Sequence, residues 1–198
     1  MSNCRPLLFT LLFAWLAACP VKAESTGWSI EPGTDDPRYA VVQPVATNLN
    51  ISAVALTCED TGTVRVLQLQ IYRTDDGPLR AKAALAAPMK DEPRAALVID
   101  GRVFPVSPMF ADTYAVLADG SEGLFAKLSS PLVAALQSGK AMTLQLDLIA
   151  EPHGQSTAFD GEAVVPLADA GGRAAIAAMR RCIGPGGVPG ARLARLRH

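Results

Sequence analysis

Apolar and polar residues alternate along several short segments of the chain, which is the pattern of β-strands that bury one face. The clearest of these segments is Ala141–Ala150. Its apolar side chains are predicted to face a core: Met142, Leu144, Leu146 and Leu148. Its polar side chains are predicted to face solvent: Thr143, Gln145 and Asp147. The chain is therefore expected to contain a half-buried sheet.

Other apolar runs, each bounded by turn residues, predict further strands. They are Tyr39–Val45, Ile51–Cys58, Val64–Tyr72, Ala95–Ile99, Arg102–Val106 and Thr113–Ala118. Pro44 would confine the first strand to a sheet edge, because proline has no N–H to donate to a ladder. The alternation in Val64–Tyr72 changes phase near Val66, which predicts a bulge there.

Two Asp-Gly pairs predict hairpin turns, because this pair readily adopts the positive φ angles of a type I′ turn. The predicted hairpins are Ala95–Ile99 with Arg102–Val106 through Asp100-Gly101, and Ser156–Phe159 with Glu162–Leu167 through Asp160-Gly161. Gly123–Leu128 is expected to pair back on Thr113–Ala118. The Ala/Lys-rich, proline-interrupted stretch Arg80–Pro93 is expected to be a loop or a short helix.

Two segments favour helices. Ser130 is expected to cap a helix that has Pro131 in its first turn and ends at Gly139, a residue common just past helix ends. The second helix is predicted from about Gly172 to Ile183, before Gly184-Pro185. Its buried face is expected to carry Ala175, Met179, Cys182 and Ile183.

Many short strands with glycine-marked turns and two helices indicate a mainly β protein. We expect an antiparallel β-sandwich or open barrel with two short packed helices, near residues 130–138 and 172–183. The expected organisation is a single domain over 24–183, preceded by a signal peptide over 1–23 and followed by a flexible basic tail over 184–198.

The N-terminal segment has the pattern of a secretory signal. Its apolar run, Leu7–Ala18, follows Arg5 and is shorter than the roughly 20 residues that a helix needs to cross a bilayer. Cleavage between Ala23 and Glu24 is one interpretation. The other is a bacterial lipobox at Leu16–Cys19, with cleavage before Cys19 and lipidation of its thiol.

Cleavage after Ala23 would leave one pair of cysteines, Cys58 and Cys182. In an oxidising compartment such a pair predicts a disulfide. It would join the last helix to an early strand and close a loop of about 124 residues, with two buried free thiols as the alternative.

Composition narrows the function classes further. The 198 residues are 49% hydrophobic and carry a net charge of −1, which does not suggest a nucleic-acid binder. Residues 180–198 contain five arginines and no acidic residue. Such a tail is expected either to be solvated or to make weak contact with anionic lipid headgroups or acidic polysaccharide.

No catalytic or metal-binding pattern stands out. Histidine occurs only at His153 and His198, and no G-x-S-x-G or phosphate-loop motif is present. Four acidic pairs could serve a hydrolase or bind calcium, but turn residues beside them favour a role in backbone hydrogen bonding. They are Asp35-Asp36, Glu59-Asp60, Asp75-Asp76 and Asp91-Glu92. Trp28 is expected in the core, and the Asn50-Ile51-Ser52 sequon is expected to have no role.

Several segments together resemble a group of uncharacterised secreted proteins of alphaproteobacteria. They are Trp28–Ile30, Asn48–Ile51, Cys58-Glu59, Val66–Gln70, Asp75–Leu79 and Ile99–Phe104. The C-terminal half is similar to the closing pattern of invasion-associated locus B proteins. That pattern comprises a helix ending in Leu136–Gly139, the strand Met142–Leu148 and a last helix through Ala174–Ala177 to Cys182. The second resemblance implies a small β-rich periplasmic or surface protein linked to host interaction, without established catalytic residues.

These observations predict a secreted periplasmic or cell-envelope protein that binds a partner and is not an enzyme. The alternative is an envelope lipoprotein anchored through Cys19 as an accessory subunit, and a remoter one is a small hydrolase. No cofactor, metal or nucleic acid is expected. The expected partner is an envelope protein or surface component, and the chain is expected to be a monomer that meets membrane only through a lipid anchor or its basic tail.

Overall fold

The computed structural model describes residues 27–75, 77–82, 87–150, 158–169 and 171–183. The predicted signal segment with Cys19, Ala23 and Glu24 lies outside these residues, as does the predicted tail. Expectations about those segments therefore stay predictions. Within the described residues, no helix is both long and apolar enough to cross a membrane.

Strands make up most of the described chain. They are β1 (Ser29–Ile30), β2 (Tyr39–Val42), β3 (Ala46–Thr47), β4 (Ile51–Asp60), β5 (Arg65–Arg73), β6 (Met89–Ile99), β7 (Arg102–Phe110), β8 (Tyr114–Ala118), β9 (Gly120–Glu122), β10 (Phe125–Lys127), β11 (Ala141–Ile149) and β12 (Gly161–Pro166). The helices are α1 (Ser130–Ser138) and α2 (Gly172–Arg180), and a 3-10 turn at Arg181–Ile183 extends the second.

Ten of these strands form one antiparallel sheet in the order β1-β2-β4-β5-β8-β7-β6-β11-β12-β3. Strands β9 and β10 pair only with each other. The sheet curls into a sandwich or half-barrel, and the two short helices accompany it. The prediction of a mainly β, antiparallel fold with helices near 130–138 and 172–183 is confirmed.

One apolar core fills the inside of the curled sheet. The sheet contributes Leu56, Leu69, Leu97, Leu117 and Leu144, and the helices contribute Leu132, Leu136, Ile176 and Met179. Trp28 joins this core, as predicted, and its indole Nε1 donates to the Pro166 carbonyl at 2.7 Å. The predicted turn at Asp100-Gly101 is confirmed, with φ angles of 48° and 83°.

The first helix differs in detail from its prediction. Its N-cap is Ser129 and not Ser130, and the Ser129 hydroxyl accepts a hydrogen bond from the Leu132 N–H at 3.4 Å. Gly139 ends the helix with an extended backbone, φ −68° and ψ 160°. A side chain is excluded there because a Cβ atom would lie 2.5 Å from Cγ2 of Ile99.

Two predictions for the middle of the chain were wrong. Strand β5 pairs with β4 in continuous register through Val66, and the register shift lies instead between Ile51 and Ala53 of β4. The end of Arg80–Pro93 is not a loop or helix, because Met89–Pro93 begins β6. Pro93 is tolerated because the β6–β11 ladder shifts register next to it, where no N–H is needed.

Two predicted hairpins were also wrong. Gly123–Leu128 does not pair with β8, because β10 pairs with β9 around a turn at Gly123. Asp160-Gly161 is not a hairpin turn, because β12 begins at Gly161 and pairs with β11. The Asp160 carboxylate instead accepts the Leu148 and Ile149 N–H groups at 2.8 and 2.7 Å.

The sequence also made predictions for the sheet edge and for the end of the last helix. Strand β2 stops at Val42, before Pro44, and β1 covers its outer side, so β2 is not an edge strand. Cys182 is buried in the turn after α2 and forms the predicted disulfide with Cys58 of β4. Ile183 was predicted to be buried but is exposed, because it follows Cys182 at the end of the 3-10 turn and lies off the buried face of α2.

Candidate functional site

The candidate site lies on the outer face of the sheet, where β2, β4 and β5 run side by side. Residues of β4 alternate between the two faces, so Val54 and Leu56 enter the core and Ala53, Ala55 and Thr57 face outward. Because these outward side chains are small, the middle strand forms the floor of a trough.

The walls of the trough come from the two flanking strands. Cross-strand pairing places Tyr39 of β2 opposite Thr57, and Val41 opposite Ala55. On the other side, Gln70 of β5 lies opposite Ala55, and Tyr72 lies opposite Ala53. Larger side chains therefore stand on both sides of a floor made of alanine and threonine.

We refer to this cavity as the tyrosine trough. The described residues that line it are Arg38, Tyr39, Val41, Ser52, Ala53, Ala55, Thr57, Cys58, Glu59, Gln70 and Tyr72. Its volume is about 620 Å³, within the range of about 300–1,000 Å³ that is typical of small-ligand sites.

A chain of side-chain hydrogen bonds orders one wall of the trough. The Tyr72 hydroxyl donates to the Gln70 Oε1 at 2.8 Å, and the Gln70 Nε2 donates to the Gln68 Oε1 at 3.1 Å. Gln68 in turn donates to the Ala126 carbonyl of β10 at 2.8 Å, and Gln70 also reaches Glu59 at 3.4 Å. The polar groups of this wall are consequently held in fixed orientations.

Thr57 differs from these neighbours. The residue is 7% exposed, and its hydroxyl oxygen is shielded from solvent and has no hydrogen-bond partner among the described residues. Burying a hydroxyl without a partner costs roughly 1–3 kcal/mol in proteins.

Burial raises the pKa of Tyr72 above its usual value, and the neighbouring Tyr114 and the charge of Glu59 raise that pKa further. The rings of Tyr72 and Tyr114 lie 5.6 Å apart at an angle of 30°. The Tyr72 hydroxyl therefore keeps its proton at neutral pH. Because it donates that proton to Gln70, it offers only its lone pairs to a ligand.

The charged groups of the trough balance each other. Arg38 and Glu59 are the charged residues in its described lining, and neither has an ion-pair partner in the described part of the chain. The site thus offers one cationic donor and one anionic acceptor, with no excess of either sign.

The acidic pairs predicted from sequence serve mainly in turns and ion pairs. Asp60 and Asp75 accept the N–H groups of Gly62 and Gly77, as the turn interpretation predicts. Asp36 forms a two-oxygen ion pair with Arg65, at 3.0 and 3.1 Å. Glu59 alone among the pairs lines the trough.

The pair Asp91-Glu92 departs from its prediction, because both residues are exposed within β6 and do not lie in a turn. Asp76, His153 and His198 lie outside the described residues. The part of the chain that the structure describes contains no group of three or more His, Cys, Asp or Glu residues that could hold a metal ion.

The side chain of Asn50 has a structural role. It is buried, its amide donates to Asp75 and the Pro78 carbonyl at 3.1 and 3.0 Å, and its oxygen accepts the Arg80 N–H at 2.8 Å. The polar atoms of its side chain all form hydrogen bonds to the loop that follows β5. The sequon is therefore not accessible in the folded protein.

Asp147 was predicted to face solvent but is 1% exposed. Lys90 and Arg94 of β6 both bind its carboxylate, and Arg94 also lies over the Phe159 ring, 5.9 Å from its centre. Burial by itself would raise the pKa of Asp147, but the hydrogen bonds and charges of the two cations outweigh it and lower that pKa. This cluster links β6 to β11, and both carboxylate oxygens of Asp147 are bonded to a cation.

Sequence reasoning missed the tyrosine trough. Gln68, Gln70 and Tyr72 alternate with apolar residues in the predicted strand Val64–Tyr72, but this alternation alone did not indicate a cavity. A stronger signal was the outward-facing set of small residues in β4, because small side chains between larger neighbours leave a depression. The chain has three tyrosines, and all three lie on or beside this face: Tyr39, Tyr72 and Tyr114.

Comparisons of the chain with protein-family models, curated proteins and solved structures found no match. The resemblances described under the sequence analysis stay predictions, and the function has to be argued from the site itself.

Proposed function

We propose that this protein is a non-catalytic binding module of the bacterial cell envelope, and that the tyrosine trough is its binding site. The observation that carries the proposal is the trough itself, a cavity of about 620 Å³ with a floor of small side chains between two walls of larger ones. Small-ligand sites are typically concave, mostly apolar and furnished with a few fixed polar groups, as this trough is.

Two further observations support this proposal. The hydrogen-bond chain from Tyr72 to Ala126 pre-orients the wall, which reduces the entropy that a ligand would lose on binding. The disulfide at Cys58 joins the floor strand β4 to the end of α2, which restricts movement of that strand.

The binding proposal is tested by measuring the melting temperature with a panel of amino acids, dipeptides, nucleotides, disaccharides, fatty acids and polyamines. At least one class is expected to raise the Tm of the wild-type protein. Ala55→Phe, which fills the trough, is expected to abolish that shift. Val116→Phe is the matched control, because Val116 lies in the same cross-strand row beyond Gln70 and does not line the trough.

The two variants decide the result together. A ligand shift that Ala55→Phe abolishes and Val116→Phe retains supports the proposal. A shift that survives in both variants places the ligand elsewhere and overturns it, and so does the lack of any shift across the whole panel. Should Ala55→Phe fail to fold, Ala53→Leu narrows the trough at a half-buried floor position and replaces it in the same test.

The location in the envelope rests on the sequence of residues 1–23 and is tested separately. Protein purified from its native envelope is analysed by intact mass with and without reductant. A chain that begins at Glu24 and gains the mass of two hydrogen atoms on reduction supports a secreted, disulfide-bonded module. A chain that retains residues 1–23 in full would contradict secretion in either form.

The lipobox-like segment Leu16–Cys19 favours a second candidate, an anchored accessory subunit. In that case the mass corresponds to a chain that begins at Cys19 and carries lipid. Cys19→Ser would then release the protein from the membrane fraction, and unchanged membrane association of this variant would contradict anchoring.

A further inference from the structure

The disulfide brings the last described residues of the chain to one end of the tyrosine trough. Cys182 is bonded to Cys58, which belongs to the trough lining, and their Cα atoms are 5.9 Å apart. The Cα atom of Ile183 therefore lies within about 10 Å of the Cα atom of Cys58. Residues 184–198 continue the chain from this point.

We propose that residues 191–198, with the sequence ARLARLRH, bind in the tyrosine trough of their own molecule. A ligand of the trough then has to displace them. The competition rests on the proposed function, because it concerns the regulation of the same site.

The linker that precedes this segment is long enough to reach the trough. Residues 184–190 can span up to about 23 Å when extended. The trough extends along β4 from Cys58 to Ala53, a distance of about 17 Å. The Cys58 side chain packs on the core side of the sheet, but β4 ends soon after it, at Asp60. A linker of this length can pass round that end of the sheet to the outer face.

The floor of the trough can accept apolar side chains. Ala53 and Ala55 present only methyl groups between the tyrosines of the two walls. Half of the residues in 191–198 are apolar, and they include Leu193 and Leu196. Leucine side chains placed over the alanine floor remove apolar surface of both from water, which favours binding.

Acidic residues are in excess at the end of the trough next to the disulfide. Residues 31–38 and 58–65 meet there, because the Cys58 N–H donates to the Arg38 carbonyl at 2.7 Å. Together these two segments contain five acidic residues and two arginines. Residues 184–198 contain three arginines and no acidic residue. The opposite charges favour binding of this basic segment at the acidic end of the trough.

Glu59 is the acidic group in the trough lining that can receive an arginine. It is half-buried, accepts a hydrogen bond from the Gln70 amide at 3.4 Å, and has no ion-pair partner among the described residues. Tyr39 lies diagonally across from it, since Tyr39 is paired with Thr57. A guanidinium beside Glu59 can therefore also contact an exposed aromatic ring, a favourable cation–π arrangement.

Attachment to the same chain makes weak contacts sufficient. A segment held by a short linker is present at its site at an effective concentration in the mM range. A separate peptide that bound with a Kd of about 1 mM would thus occupy the trough about half of the time or more when attached. The affinity of a ligand falls in proportion to the fraction of molecules whose trough is free.

The three tyrosines allow a test in the full-length chain, because all of them lie on or beside the trough and residues 184–198 contain none. Protein labelled with 3-fluorotyrosine gives one ¹⁹F NMR signal for each tyrosine, assigned by Tyr→Phe substitution. Replacing the three arginines of residues 191–198 by glutamine is expected to shift the signals of Tyr39 and Tyr72, since these rings lose the bound segment.

Two further variants separate contact from a change of net charge. Leu193→Ser with Leu196→Ser keeps the charge and is expected to shift the same two signals. Arg173→Gln is the matched control, because Arg173 is exposed on α2, donates to the Gln137 carbonyl and does not line the trough. It is expected to leave both signals unchanged. Unchanged signals in the leucine and arginine variants, or equal shifts with Arg173→Gln, would overturn the inference.

Photo-cross-linking locates the segment directly. The photoreactive residue p-benzoylphenylalanine is placed at position 193 of the full-length chain, and the linked peptides are identified by mass spectrometry. A link within one chain to the trough-lining part of β2, β4 or β5 is expected. Links that form mainly between two chains, or to strands outside the trough, would overturn the inference.

Two other outcomes separate this inference from the proposed function. Arginine-dependent binding to phosphatidylglycerol vesicles, with no shift of the tyrosine signals, would assign the segment to a membrane surface and overturn the inference, while ligand binding in the trough would stand. A ligand found with the compound panel should bind the arginine variant more tightly than wild type, about tenfold if the segment occupies about nine-tenths of the molecules. Equal affinities would overturn the competition.

Discussion

Thr57 and Gln68 lie directly opposite each other on β4 and β5, yet only Gln68 has its polar group paired. Gln68 reaches across to the Ala126 carbonyl of the β9–β10 hairpin, while the buried Thr57 hydroxyl is left without a partner in the described structure. The contrast separates a buried polar group that adds a hydrogen bond to the fold from one that adds none.

Thr57→Val should leave the stability of the free protein unchanged or increase it by up to about 1 kcal/mol, because the valine side chain buries no unsatisfied hydroxyl. The free energy of unfolding, measured by urea denaturation, checks this expectation. A loss of more than about 1 kcal/mol would show that the hydroxyl is hydrogen-bonded in the folded protein.

Asp147→Asn should destabilise the protein at neutral pH by about 3 kcal/mol, because it leaves Lys90 and Arg94 without the anion that they share. The pKa of Asp147 is lowered in the folded state, so the unfolded chain binds its proton first as pH falls. The stability that Asp147 contributes is therefore complete above its unfolded pKa of about 3.9 and is lost as pH falls through the folded value.

Unfolding curves of wild-type protein and Asp147→Asn, measured from pH 7 to pH 3, check the pH dependence. The difference in unfolding free energy should shrink toward the acidic end. Asp91→Asn is the matched control, because Asp91 is exposed on β6. A difference between wild type and Asp147→Asn that stays constant across this range would contradict the assigned role of the carboxylate.

Removal of the disulfide should be costly because it joins residues 124 positions apart. The double variant Cys58→Ala with Cys182→Ala is expected to lose about 4 kcal/mol of unfolding free energy, since the unfolded chain is no longer constrained. Guanidinium denaturation of wild type with and without reductant provides an independent measurement. Reductant should destabilise the wild type and leave the double variant unaffected.

Gly161→Ala should destabilise the start of β12. A Cβ atom there would lie 2.3 Å from Cδ2 of Leu49, which is fully buried. The expected loss is about 2 kcal/mol, typical of overpacking, and thermal denaturation measures it. Gly120→Ala is the control, because its Cβ would meet Lys127 at an ordinary 3.8 Å. Equal effects of the two substitutions would contradict this packing argument.

Local patterns predicted much of the fold. The alternation in β11 identified four buried residues correctly, and Asp100-Gly101 identified its turn, because both signals depend on a few adjacent residues. The same patterns failed where a distant segment decided the outcome. Asp160 resembled a hairpin turn residue, but its carboxylate is used by the N–H groups of Leu148 and Ile149.

By itself, the sequence determined the mainly β class and the positions of the two helices, because periodicity and helix-end residues are properties of the chain alone. It predicted the pairing of Cys58 with Cys182 only on condition that cleavage leaves these two cysteines in an oxidising compartment. Tertiary structure decided which outward-facing residues would form a site. Ala55 and Thr57 become the floor of the tyrosine trough only because Tyr39 and Tyr72 are brought beside them from other strands. Strand order and register make those contacts, and both depend on how the whole sheet curls around its core.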